Sequence, residues 1–302
     1  MRGKMSAKSS IEWTDASWSP IVGCTRKSEG CRNCWSERFL ARFGSIPGHK
    51  FEGISRFTPE GPRWTGTVRL AEDALDEPLS WRKPRRIFVC STSDLFHEKV
   101  ETEWLDRIFD VMRRARQHTF QVLTKRPENM LEYMKSRYHF PTVAPEIKPL
   151  PNVWLGVSVE DQATADERIP LLLQTPAAVR WVSYEPALGP VNFASHLHRR
   201  INEHCNVLDW IVLGGESGPG ARPFDIEWAR AVVKQTRLTG TPVFVKQLGA
   251  LPHDGSACVG AGSECEPAHG REQGDRRLVL KDKKGGDMAE WPEDLRVREY
   301  PR

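Results

Sequence analysis

The chain has 302 residues, 39% hydrophobic and 28% charged, with a formal net charge of +4. Its 11 Trp and 12 Phe exclude a chain disordered throughout, and its length allows a core without disulfides. The charge is too mild to mark a nucleic-acid footprint, and no run approaches the ~20 apolar residues of a membrane-spanning helix.

The N-terminal MRGKMSAKSS is basic with no apolar region behind it, so no secretory signal is read there and the expected compartment is the cytoplasm. SWSPIVG (17–23) is a first strand candidate weakened by Pro20. Residues 42–84 carry Pro47, Gly48, Pro59, Gly61 and Pro62 and read as a loop-like insertion. Six apolar runs follow: IFVCSTSD (87–94), TFQVLTKR (119–126), VWLGVSVE (153–160), VRWVSYEP (179–186), WIVLGGES (210–217) and PVFVKQLG (242–249). Each is nearly continuous rather than alternating, as parallel strands buried on both faces require.

Helical periodicity fills the intervals. Residues 100–116 place Trp104, Ile108, Val111 and Met112 on one face, and 126–137, 163–174 and 225–240 read similarly. Asp225 suits an N-cap and Gly240 a C-terminal stop. Repeated βα units with right-handed crossovers predict an α/β fold, a full or partial (β/α) TIM-like barrel over residues 11–250. Residues 251–302 are expected to form a flexible excursion and a C-terminal hairpin around Gly285-Gly286 that packs on the barrel. No GxGxxG follows a strand and no phosphate-loop motif occurs, which lowers the nucleotide-fold readings.

Barrel enzymes place chemistry at the C-terminal ends of their strands. Those ends carry Ser91 and Asp94, Lys125 and Arg126, Ser158 and Glu160, Ser183 and Glu185, Glu216 and Ser217, and Lys246 and Gln247. Asp94, Lys125, Glu185 and Lys246 form the candidate catalytic set. Ser91, Ser158, Glu160, Gly214, Gly215 and Glu216 form the candidate cofactor-binding set, the glycines because backbone without a Cβ can approach a ligand closely. Polar strand ends are also what any solvent-facing rim needs.

Seven cysteines are unevenly placed. Cys24, then six residues, Cys31, then two residues, Cys34, fall in GCTRKSEGCRNCW. In a chain without a secretion signal a tight cluster reads as metal binding or catalysis before disulfides. Three thiolates are one short of a closed zinc site, so a distant fourth ligand would make zinc possible. Three also suit an iron–sulfur cluster with one iron left open, and a redox role is the third reading. Cys90 reads as an inert core thiol, while Cys258 and Cys265, near His253 and His269, read as unpaired residues of the mobile insertion.

A three-cysteine loop after the first strand of a (β/α) barrel resembles the radical S-adenosylmethionine superfamily. The set WTDASWSPIVGCTRKSEGCRNCW, STSDLFHE, LTKRPENM, GVSVEDQ, SYEPALGPV, GGESGPGARP and VKQLG resembles more closely the phage-associated three-Cys-motif family, over residues 11–250 and the final WPEDLRVREYP. The resemblance implies that Cys24, Cys31 and Cys34 hold a 4Fe-4S cluster whose open iron binds S-adenosylmethionine. It further implies one-electron cleavage of that cofactor, with an electron donor as partner and hydrogen abstraction from a substrate. The superfamily's usual spacing is three then two residues, and its Gly-Gly-Glu segment ends the second strand. Here Gly214-Gly215-Glu216 ends a later strand, so that segment's role is not carried onto Glu216.

On the resemblance, a nucleic acid or nucleoside is the expected substrate and no membrane is involved. The alternative is a non-catalytic, zinc-stabilised nucleic-acid-binding or accessory phage protein. Arg82–Arg86 and Lys281–Lys284 would then contact phosphates.

Overall fold

The computed structural model describes residues 9–138, 148–197, 207–255 and 277–301. Strands β1 (Ala16–Trp18) and β2 (Ile21–Val22) precede helix α1 (Trp35–Ala41). Strands β3 (Ser55–Thr58), β4 (Gly61–Trp64), β5 (Arg69–Leu70) and β6 (Arg86–Val89) come next. Then α2 (Thr102–Arg114), β7 (Thr119–Thr124), α3 (Pro127–Tyr138), β8 (Val153–Val159), α4 (Gln162–Gln174) and β9 (Val179–Tyr184) alternate. The last are β10 (Trp210–Gly214), β11 (Phe224–Asp225), α5 (Ile226–Thr239), β12 (Val243–Gln247) and β13 (Pro252–His253).

Seven parallel strands in the order β1-β6-β7-β8-β9-β10-β12, with helices between them, form an α/β partial TIM-like barrel, as the periodicity predicted. The chain divides into two compact units, residues 1–158 with 166–183 and residues 159–165 with 184–302. Among the described residues no helix is long and apolar enough to cross a membrane.

In the first unit, Ile87 pairs with Phe120 and Phe120 with Val153, so buried apolar side chains stack across three strands. The expected strand 17–23 is broken. Proline lacks the N–H a continuing strand would donate, and the Pro20 carbonyl instead accepts from the Ala71 amide at 2.7 Å. The chain then leaves the sheet to pair antiparallel with β5. It rejoins at a parallel bridge between Gly23 and Ser93. Gly23 has φ of +97°, and a Cβ there would lie 2.0 Å from the Thr67 carbonyl oxygen, so only glycine can carry the chain into Cys24.

Helix α2 buries Leu105, Ile108, Phe109, Val111 and Met112. Trp104, expected on that face, is half-buried because the stripe runs through Leu105 and Phe109 instead. The stretch 42–84, expected to be loop, contains the β3–β4 hairpin, whose turn is made by Gly61 at φ of +104°. A satellite core of Val22, Leu40, Phe51 and Ile54 lies beside it, with Trp64 of the hairpin packed against that core.

In the second unit, α5 follows the sequence expectation. The Asp225 carboxylate accepts from the Glu227 amide and Gly240 closes the helix at φ of +73°. The C-terminal hairpin is not formed. Arg277 bridges to His253 instead, and the Asp282 carboxylate accepts from the amides of Lys284 and Gly286, curling the chain into a turn. The final residues cover the free edge of β12, where the Val245 amide donates to Val297 and the Glu299 amide to Val243. Residues 256–276, expected to be flexible and containing Cys258, Cys265 and His269, lie outside the described residues, as does Cys205.

Candidate metal centre

Cys24, Cys31 and Cys34 all belong to the first unit, are unbridged and half-buried. Backbone bonds shape their loop. The Cys31 amide donates to Ser28, the Cys34 amide to Cys31, and the Lys27 amide points at the Cys31 sulfur at 3.5 Å. Burial pushes the Cys24 thiol well above its ordinary value; Asp94 adds to this, Arg126 opposes it, and Cys31 and Cys34 push it up further. Burial also raises Cys34, while the Glu37 and Ser36 amides pull it down and Cys31 raises it.

Two buried carboxylates hold this loop. Asp94, 5% exposed, accepts from the Phe96 and Lys125 amides, the Thr124 hydroxyl and the Arg126 guanidinium. Arg126, 2% exposed, also reaches Glu98 at 2.8 Å and the Thr25 hydroxyl at 2.8 Å, which fixes the residue after Cys24. His97 Nδ1 accepts from the Lys99 amide, so the neutral ring donates from Nε2 to the same Thr25 hydroxyl at 2.9 Å. Glu37, 1% exposed, takes two bonds from Arg26 and one from the Trp64 amide, and so ties the cysteine loop to the β3–β4 hairpin.

The three thiols supply the soft donors an iron–sulfur cluster takes, and they act on one another electrostatically. Among the described residues no three Cys, His, Asp or Glu side chains converge as a metal-holding group. A cluster binds each thiolate through a different iron, so its ligands need not converge on one point. The donor set therefore fits it.

The remaining predicted residues fall into both units. In the first, Lys125 donates to Ser158 at 2.5 Å, so these two expected rim residues do meet. Ser91 is half-buried between Cys90 and Thr92. In the second, Lys246 pairs with Glu185 at 2.6 Å, with Gln247 donating to the same carboxylate at 3.3 Å. Glu216 is bound by Arg222 through its guanidinium and its amide. Glu160 is buried, with its amide bonded to the Thr164 hydroxyl.

Gly214 and Gly215 owe their identity to strand packing. A Cβ on Gly215 would meet the Leu248 oxygen at 2.5 Å, and one on Gly214 the Gln247 oxygen at 3.1 Å. Of the basic stretches, Arg85 lies over the Trp81 ring and Arg86 pairs with Asp15. Cys90 is buried and pushed up to about 12 by that burial, as expected of a core thiol. Sequence reasoning passed over Glu37, Thr25 and His97. Their signal was position: Thr25 follows Cys24 directly, and Glu37 is a carboxylate inside an otherwise aromatic helix start.

Fold and site together define an α/β partial-barrel protein with a three-thiol loop at the end of its first strand segment. The chain belongs to DUF5131, a protein family of unknown function, whose profile matches residues 8–284. Among curated proteins no sequence matches it. Among solved structures it is similar to a cysteine-to-serine mutant of spore photoproduct lyase, at 10% identity and a TM-score of 0.38. That match covers 79% of this chain and 65% of the other, so the chain spans about two-thirds of that protein's length.

Proposed function

We propose that this protein is a radical S-adenosylmethionine-type enzyme in which Cys24, Cys31 and Cys34 hold a 4Fe-4S cluster. The observation that carries the reading is the loop itself: three unbridged thiols that feel one another's charge, fixed by buried Arg126–Asp94 and Arg26–Glu37 pairs. Such a cluster, when bound, supplies one-electron cleavage of S-adenosylmethionine and hence hydrogen abstraction from a substrate.

The chain's own residues prepare the site. Arg126 places a permanent positive charge near Cys24 and favours the anionic sulfur a metal requires. Asp94 does not face a ligand with a free carboxylate; its four bonds make it a positioning residue for Arg126 and Lys125. Lys125, anchored on Ser158, presents an ammonium suited to a carboxylate or phosphate. Lys246 and Glu185 could serve the same cofactor or a substrate as a cation and an acceptor. The mildly basic balance of +4 favours an anionic substrate, for which we take nucleic acid or a nucleoside, and an external one-electron donor is required.

Anaerobic reconstitution with iron and sulfide tests the reading. The wild-type chain should take up about four irons per chain and turn brown, as expected of a thiolate-held cluster. Cys31→Ala should lose that colour. With S-adenosylmethionine and a reductant the loaded protein should release 5′-deoxyadenosine. A colourless protein with one zinc per chain, or a Cys31→Ala variant with full iron content, overturns the assignment.

A further inference from the structure

A cavity of about 420 Å³ lies within the first unit, and none of the three cysteines lines it. This volume falls in the range of small-molecule sites. Its lining includes two hydroxyls, those of Ser19 and Thr92, whose oxygens are buried without a hydrogen-bond partner among the described residues. Thr92 is 3% exposed. Buried polar groups are nearly always satisfied, so two orphans on one cavity call for a polar occupant.

Charge indicates what that occupant carries. Glu52, Glu72, Asp73 and Glu77 line the cavity against Lys50 and Arg69. Several of these are already committed. Arg69 donates to the Lys50 and Glu52 carbonyls, the Lys50 ammonium sits over the Phe51 ring, Glu72 pairs with Arg107, and Glu52 accepts from the Gly48 amide. The side chains of Asp73 and Glu77 have no hydrogen-bond or ion-pair partner among the described residues. The Glu77 carboxyl is pushed up chiefly by burial, with Lys50 opposing and Asp73 adding, as befits an acid lacking a cation of its own.

We infer that this cavity binds a small organic cation, a protonated amine held by Asp73 and Glu77 while the Ser19 and Thr92 hydroxyls take its remaining polar atoms. The inference is independent of the cluster.

Calorimetric titration of the full chain with spermidine and with putrescine tests it, with 1,4-butanediol and succinate as neutral and anionic controls. Saturable binding of the amines alone is expected. Glu77→Gln should weaken it about tenfold or more, the scale of one charge-assisted hydrogen bond. Thr92→Val should also weaken it while leaving the unliganded protein at least as resistant to heat, because an unsatisfied hydroxyl is removed. Three results each overturn the inference: no saturable heat with either amine, succinate or the diol binding as well as the amines, or unchanged affinity in both variants.

Discussion

In the first unit the Asp94 and Arg126 side chains are 7% and 2% exposed, and both are bonded to backbone or loop atoms that shape the cysteine segment. In the second unit the Glu185 and Lys246 side chains are each 17% exposed, and their bonds run mainly between side chains at the ends of strands. One pair fixes the path of the chain; the other orients two side chains toward an opening. Their consequences on removal should differ accordingly. Asp94→Ala strands a buried guanidinium and four donors, so it should cost about 3–5 kcal/mol, the usual penalty for leaving a buried charge without its partner. Urea unfolding measures this as a lower midpoint at unchanged slope. The reconstituted variant should also hold less iron. A midpoint close to wild type would show that Glu98 alone suffices for Arg126 and would erase the contrast between the units.

The next largest effect lies in the second unit and is steric. Gly215→Ala sets a methyl 2.5 Å from the Leu248 oxygen and 2.9 Å from the Phe224 Cβ. Overpacking of this kind costs about 1–3 kcal/mol. Gly214→Ala, whose nearest atom is at 3.1 Å, should cost less. Thermal melts of both variants rank them. Equal stability of Gly215→Ala and wild type, with weakened S-adenosylmethionine binding, would return Gly215 to the ligand-contacting role its strand-end position suggested.

The sequence made the βα rhythm legible because strands such as VWLGV are buried along their whole length and leave an unbroken apolar run. It made the three-thiol loop legible because cysteine spacing is local. It did not show that Asp94 is enclosed by its own donors, since that depends on Thr124 and Arg126 arriving from β7 and the start of α3, some thirty residues on. Nor did it separate the two reasons for a glycine. Gly23 and Gly215 look alike in a string, and only their neighbours, the Thr67 and Leu248 carbonyls, show that both are required by close backbone approach. The hairpin expected around Gly285 failed for a similar reason: a carboxylate at Asp282 captured the amides that a paired strand would have used.

A smaller effect appears with pH and belongs to the first unit. Burial lowers both His97 and His118 below the ordinary histidine value; Arg126 lowers His97 further, while carbonyl contacts of His118 work the other way. The His118 Nε2 donates to the Pro78 carbonyl, and its buried Nδ1 has no partner among the described residues, so the ring is held neutral. The unfolded chain therefore binds protons more readily than the folded one. Stability is fully present above the unfolded value near ~6.5 and is lost as pH falls from there through the lowered folded values. Urea midpoints between pH 7 and pH 5 should decline, and His118→Gln should flatten part of the decline. An unchanged slope in that variant would place the whole dependence on His97 and its loop.

The smallest effect is the one that sharpens the comparison most. A double-mutant cycle on Glu185→Gln and Lys246→Met should return a coupling of about 0.5–1 kcal/mol, in the upper part of the range for solvent-reached ion pairs. It should shrink as salt rises, because the pair lies within reach of screening ions. Gln247, which also donates to Glu185, limits the loss by keeping the acceptor partly satisfied when the ammonium is gone. Coupling as large as the Asp94 penalty and indifferent to salt would mean that the second-unit pair is sealed from water as thoroughly as the first. Glu185 would then be a structural anchor, and the case for it as a group open to substrate would fail. A weak, salt-sensitive coupling leaves both side chains free to exchange partners, which a residue that handles a ligand must be able to do.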